Sequence, residues 1–147
     1  MFPGPSLKKS LVKEFNYCAS IIAINKGNGQ FDIRQLPTQV QLSSINAIAL
    51  QDVNADGNPD MILGGNQYGF LPQFERLDAS FGDVLINNGK GIFTVMDNRN
   101  TGLHLRGEIR DIKSLNTKGT TQIIFLQNND LPVLYKLNSK SNQGATN

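Results

Sequence analysis

The chain has 147 residues, enough for one ordinary domain, and is 39% hydrophobic and 18% charged. Its 14 Lys and Arg against 12 Asp and Glu leave a net charge of +2 that is scattered rather than banded, which excludes nucleic acid as a partner read by a basic stripe. Nowhere is there a run of about eighteen apolar residues, so no membrane span is expected, and a single cysteine excludes an internal disulfide.

Residues 1–15 read as an N-terminal extension. Met1-Phe2-Pro3-Gly4-Pro5-Ser6 opens it, and Lys8 and Lys9 are followed by no apolar core of a secretory signal. A first strand is expected over 17–24, where Cys18 reads as a small buried hydrophobe. The turn residues Gly27-Asn28-Gly29 lead to strands over 31–36 and 45–51.

Between the strand at 45–51 and the next, at 60–64, lies Asp52-Val53-Asn54-Ala55-Asp56-Gly57-Asn58-Pro59-Asp60. Oxygen-bearing side chains stand at every second position, a glycine breaks the run, and a carboxylate closes it. Calcium takes six to eight hard oxygen ligands at irregular angles, and a loop that folds back on itself can supply them. Asp52, Asn54, Asp56 and Asp60 would offer side-chain oxygens and Asn58 its backbone carbonyl. Gly57 allows the positive φ of a tight reversal. An EF-hand would need an acid at the twelfth position and flanking helices. The twelfth position is Leu63, and both flanks are short apolar runs that read as strands. Zinc would want histidine or cysteine, which the loop lacks. The same residues also favour plain turns.

Residues 66–82 form the longest connection and hold Tyr68, Phe70, Phe74, Arg76, Asp78 and Phe81. Such connections often carry function on a rigid scaffold. Phe70 and Phe81 are expected to pack between units, and Arg76 to pair with Asp78. Strands then follow over 83–87, 92–96, 107–113, 121–127 and 132–137, with no convincing amphipathic helix. His104, flanked by Leu103 and Leu105, is expected on a strand edge as a surface or packed residue rather than a base. No serine sits in a G-x-S-x-G turn, and the loop carboxylates lack the paired geometry of a glycosidase. No catalytic residues are assigned. Residues 138–147 are rich in Ser, Asn and Gln and are expected to be disordered.

The chain repeats itself at a shift of about 62 residues. Ile24-Asn25-Lys26-Gly27-Asn28-Gly29-Gln30-Phe31 matches Ile86-Asn87-Asn88-Gly89-Lys90-Gly91-Ile92-Phe93 at its Ile, first Asn, both Gly and Phe. At the same shift Asn54 meets Asn116, Gly57 meets Gly119, Ile62 meets Ile124 and Asn66 meets Asn128. Asp52, Asp56 and Asp60 become Ser114, Lys118 and Gln122. The second loop, Ser114 to Gln122, is therefore expected to hold its turn without calcium.

The pattern N-x-G-x-G-x-F, a strand, D-x-N-x-D-G-x-x-D and an apolar strand resembles the FG-GAP/VCBS repeats of secreted bacterial proteins, relatives of the repeats in integrin α-subunit propellers. The resemblance spans roughly residues 16–137. It implies an all-β chain of about two four-stranded antiparallel blades, one over 16–82 and a degenerate one over 83–137, forming part of a longer propeller. Two blades cannot close a ring that typically needs four to eight, so a C-terminal fragment is expected, with the remaining blades as partners. The resemblance also implies Ca2+ at Asp52, Asn54, Asp56, Asn58 and Asp60, and an extracellular or cell-surface location. The expected function is a non-enzymatic scaffold for adhesion or ligand binding, with a protein or carbohydrate as ligand. The alternative is a segment of a polysaccharide-acting propeller to whose site the 66–82 connection contributes.

Overall fold

The computed structural model describes residues 11, 13–70 and 75–138. The expectations for Met1–Ser6, Lys8, Lys9, Phe74 and the tail beyond Asn138 lie outside the described residues. Among the described residues nine strands form, all paired antiparallel: β1 (Ile21–Gly27), β2 (Gln30–Gln35), β3 (Ile45–Gln51), β4 (Asp60–Gly65), β5 (Asp83–Asn87), β6 (Phe93–Val95), β7 (Ile109–Thr117), β8 (Thr120–Gln127) and β9 (Val133–Lys136). Two single-turn helices join them, a 3-10 turn at Thr38–Gln41 and α1 at Asn98–Thr101. The chain is all-β.

Three sheets result, β1-β2, β3-β4-β5-β6 and β7-β8-β9. The middle sheet draws β3 and β4 from the first copy of the sequence repeat and β5 and β6 from the second, so sheets and repeats are out of phase. One face of this sheet is covered and the other partly so, and β4 is buried along its whole length. Alternation along a strand sends neighbouring side chains to opposite faces. Ile62 and Val84 therefore join Leu103, Leu105, Ile109, Ile112, Ile123 and Phe125 on one side. Met61, Leu63 and Leu85 join Leu36 and Val40 on the other, with Ile22 packed against them. Each such side chain contributes roughly 1.5–3 kcal/mol by leaving water. β7 approaches so closely that a Cβ on Gly64 would lie 2.6 Å from Ile109 Cγ2, which explains a glycine inside a buried strand.

The second face is only partly covered. Ile48 and Leu50 on β3 remain 58% and 62% exposed. The β1-β2 pair lies over the β5-β6 half of the middle sheet, where Arg34 Nη1 donates to the Lys90 and Gly91 carbonyls at 2.9 and 3.3 Å.

The first strand begins four residues later than expected, and Cys18 is exposed outside it rather than buried on a strand. The cause is Pro37. The β1-β2 ladder runs to Ile21 opposite Gln35, Leu36 N–H reaches back to the Ser20 carbonyl at 3.0 Å, and proline has no N–H to extend it. His104 is likewise not on a strand: it lies between α1 and β7, exposed, while Leu103 and Leu105 on either side are buried.

Candidate functional site

The connection from β3 to β4 curls tightly on its own side chains. Asp52 Oδ1 accepts from the Asp56 amide at 3.2 Å and its Oδ2 from the Gly57 amide at 2.9 Å. Asn54 Oδ1 accepts from the Asp56 amide at 3.0 Å, and its Nδ2 donates to Asp56 Oδ2 at 2.9 Å. Asp56 Oδ1 accepts from the Asn58 amide and side chain at 2.8 and 3.0 Å. Four of the expected ligating residues, Asp52, Asn54, Asp56 and Asn58, are thus tied together at an exposed tip. These bonds, from the Asn58 backbone first and then the Asn54 side chain, hold the Asp56 carboxyl below its ordinary pKa. Asp56 stays ionised to lower pH than a free aspartate.

Asp60 stands apart from that tip. It is fully buried, and its two oxygens accept from the Val53 amide at 2.9 Å and the Asn87 amide at 2.8 Å. Asn87 is the first Asn of the second N-x-G-x-G-x-F run. Its Nδ2 donates to the Pro59 carbonyl at 3.1 Å, and its Oδ1 accepts from Gly89 and Gly91 at 3.0 and 3.3 Å. Gly89 lies so close that a Cβ there would come within 2.8 Å of Asn58 Oδ1. The two strongest sequence signals therefore lock into one another through Asp60 and Asn87.

The donor set is entirely hard oxygen, which suits Ca2+. A carboxylate offers about four acceptor positions, so Asp52 and Asp60, each engaged by two amides, keep lone pairs for a cation. An open cleft of about 580 Å³, lined by Asp52 and Asn54 on one side and Thr120, Thr121 and Lys136 on the other, gives access. Among the described residues no three His, Cys, Asp or Glu side chains are gathered into one metal-holding group, consistent with Asp60 facing inward.

Gly57 has φ +86°, as its role in the reversal requires, but Ala55 also sits in the left-handed region at φ +60°. For an L-residue with a Cβ that conformation costs about 1–2 kcal/mol. Ala55→Gly should stabilise the protein by roughly 0.5–1 kcal/mol, after allowing for glycine's greater chain entropy. A urea melt showing a lower midpoint for this variant would contradict that account.

The second copy of the loop is not a loop. β7 and β8 zip through Ser114–Gln122 and close on a two-residue turn, Lys118-Gly119, with φ +48° and +77°. Positive φ at both central residues marks the type I′ turn favoured in hairpins. Gln122, aligned with Asp60, faces Leu115, whereas Asp60 faces Gln51. The aligned partner of Gln51 would be Lys113, so β7 has moved two residues along β8. An even shift keeps every side chain on its own face.

At the opposite end of the strands the 66–82 connection meets the chain entering β7 and leaving β8. Tyr68 is held twice: its amide donates to Glu108 Oε1 at 2.6 Å, and its hydroxyl donates to the Arg106 carbonyl. The Arg76 guanidinium lies over the Tyr68 ring, 5.1 Å from its centroid. Arg76 does not pair with Asp78, because the aromatic face draws it away. Phe70 and Phe81 do not plug the core either. They are 45% and 37% exposed, and Phe81 stacks on His104 at 5.4 Å. Arg106 Nε donates to His104 Nε2 at 3.1 Å. A groove of about 370 Å³ results, lined by Tyr68, His104, Arg106, Gln127 and Asp130 among others. Arg106, Gln127 and Asp130 were not singled out by sequence, since no motif joins three separated segments.

Beneath the groove, Glu108 is buried and accepts from the Tyr68 amide, the Asn128 side chain at 2.7 Å and Arg110 at 3.4 Å. The Tyr68 amide leads these in holding the Glu108 carboxyl below its ordinary pKa. A depressed carboxylate stabilises the fold above its unfolded pKa and loses that contribution as pH falls through the folded value. The midpoint of thermal unfolding should therefore drop with acidification below the ordinary glutamate range. Glu108→Gln should flatten that drop while lowering stability at neutral pH. An unchanged acid limb in the variant would remove Glu108 from the explanation.

Among the described residues no helix is long and apolar enough to cross a membrane. Comparison with family models, with curated proteins and with solved structures finds no match to this chain.

Proposed function

We propose that this chain is a calcium-stabilised, non-catalytic segment of a β-propeller of the FG-GAP/VCBS kind, acting as a ligand-binding or adhesive scaffold outside the cell. The observation that supports this reading is the 62-residue sequence period in a chain that folds as successive antiparallel sheets, even though sheet and repeat boundaries do not coincide. A four-stranded meander packed on one face and partly on the other, with shorter sheets before and after it, suits consecutive blades of a larger ring. The ion would be held by Asp52, Asn54, Asp56, the Asn58 carbonyl and Asp60. It would supply charge neutralisation to carboxylates that otherwise repel. Extracellular calcium, at millimolar levels, would fill even a modest site.

Titration calorimetry tests the reading. One Ca2+ per chain is expected, with Mg2+ much weaker, because Mg2+ demands near-ideal octahedral geometry. Absence of calcium binding at millimolar concentration, or two ions per chain, would overturn it.

A further inference from the structure

We propose that Asn28 is a covalent modification site, where the side chain closes onto the Gly29 amide nitrogen and water opens the ring to aspartate and isoaspartate. The inference goes beyond the calcium reading and does not depend on it.

The chemistry needs an asparagine side chain free to reach the next amide nitrogen, and a next residue with no Cβ in the way. The nitrogen gives its proton to hydroxide and forms a bond to Cγ. The bond from Cγ to the side-chain nitrogen breaks, and ammonia leaves. Water then adds to one of the two imide carbonyls. The main chain continues through the original peptide carbonyl, giving aspartate, or through the side chain, giving isoaspartate. Water is consumed, ammonia is released and no electrons change hands.

The chain holds two Asn-Gly pairs, Asn28-Gly29 and Asn88-Gly89, and one Asp-Gly pair, Asp56-Gly57. The fold locks two of the three. Asn88 Oδ1 accepts from the Lys90 and Ile92 amides at 2.9 and 3.2 Å, and the Gly89 amide donates to Asn87 Oδ1 at 3.0 Å. Electrophile and nucleophile are thus tied to different partners. The Gly57 amide likewise donates to Asp52 Oδ2 at 2.9 Å, and the Asp56 carboxylate, held ionised by its own bonds, is a poor electrophile.

Asn28 and Gly29 are held by neither device. They are the two central residues of the β1-β2 hairpin, with φ +52° and +73°, and both are exposed. Among the described residues the Asn28 side chain and the Gly29 amide make no hydrogen bond, and the Gly27 amide alone takes a local cap, Asn25 Oδ1 at 2.8 Å. A Cβ built on Gly29 would meet nothing within 4 Å, so the approach to its nitrogen is open. An exposed turn tip with so few bonds opens at little cost.

The product alters the hairpin. Isoaspartate lengthens the main chain by one carbon inside a two-residue turn, and turn length sets the register of the strands it joins. The pairs Gly27 with Gln30 and Asn25 with Phe31 then no longer match their turn. β1 and β2 have no third strand to hold them in line.

The test ages the whole chain at mildly alkaline pH, natively and in urea, and maps its peptides by mass spectrometry, with enzymatic methylation to score isoaspartate. In the native chain Asn28 should react about tenfold or more faster than Asn88, since each hydrogen bond that must open first slows the step several-fold. In urea the two should react at similar rates. Equal native rates would overturn the assignment. A tenfold difference that persists in urea would trace it to neighbouring sequence and overturn the structural argument. Hydrogen exchange in the aged chain should rise along β1 and β2 and stay unchanged along β7 and β8. Asn28→Asp adds the charge without the extra carbon and should exchange like the unaged chain, since aspartate also tolerates positive φ. Equal loosening in Asn28→Asp would overturn the lengthened chain as the cause.

Discussion

Calcium should raise the unfolding temperature of the wild-type chain, and Asp56→Ala should abolish that rise. A ligand present at a hundred times its Kd, and absent from the unfolded state, stabilises by roughly 2.7 kcal/mol. For a chain of this size that corresponds to a shift of the order of 5–10 °C. Asp56 is the best-connected side chain at the tip, with hydrogen bonds to Asn54 and Asn58, yet it is exposed and clamps no strand. Its removal should therefore cost the calcium response while changing stability in chelator only slightly. Lys118→Ala, in the aligned turn of the second copy, should leave the response intact. An equal rise in wild type and Asp56→Ala would sink the assignment of this loop.

Asp60→Ala should behave in the opposite way. Asp60 is fully buried and takes the amides of Val53 and Asn87, one from its own loop and one from β5. Truncation leaves two backbone donors without an acceptor in a dry interior. Charge-assisted bonds of this kind contribute about 1.5–3 kcal/mol each, and unmet buried donors carry a further penalty. A loss of about 2–4 kcal/mol is expected even in excess chelator, read from denaturant unfolding. Stability within about 0.5 kcal/mol of wild type would show that Asp60 is not the clamp. Comparing the two variants in excess chelator separates loss of the proposed ion alone from loss of the buried clamp.

Much of the strand order was legible from sequence because each strand is a short apolar run punctuated by glycine or asparagine. Ile45–Gln51 and Asp60–Gly65 form where expected, and the loop between them curls as its side chains suggest. The start of β1 is legible in principle, because Pro37 ends the ladder from the other strand. What could not be read is placement across segments. Tyr68 meets Glu108 and Arg106 only because separate chain segments converge beyond the ends of β4 and β7, whereas Arg106 and His104 are near neighbours in sequence. Arg76 beside Asp78 in sequence invites an ion pair, but the nearby Tyr68 ring lies outside any local pattern. Ala55 at positive φ has no sequence signature at all, since alanine is a poor choice for that conformation.

The two-residue displacement of β7 along β8 has an evolutionary reading. Replacement of three acids by Ser114, Lys118 and Gln122 is accompanied by a change from open loop to closed hairpin, with no residue inserted or deleted in the alignment. On the proposed reading a unit would in this way shed its ion at constant length, and the strands downstream would keep their phase. Neighbouring units in such an array would then be free to gain or lose metal dependence one at a time, by point substitution, without disturbing the stack they share.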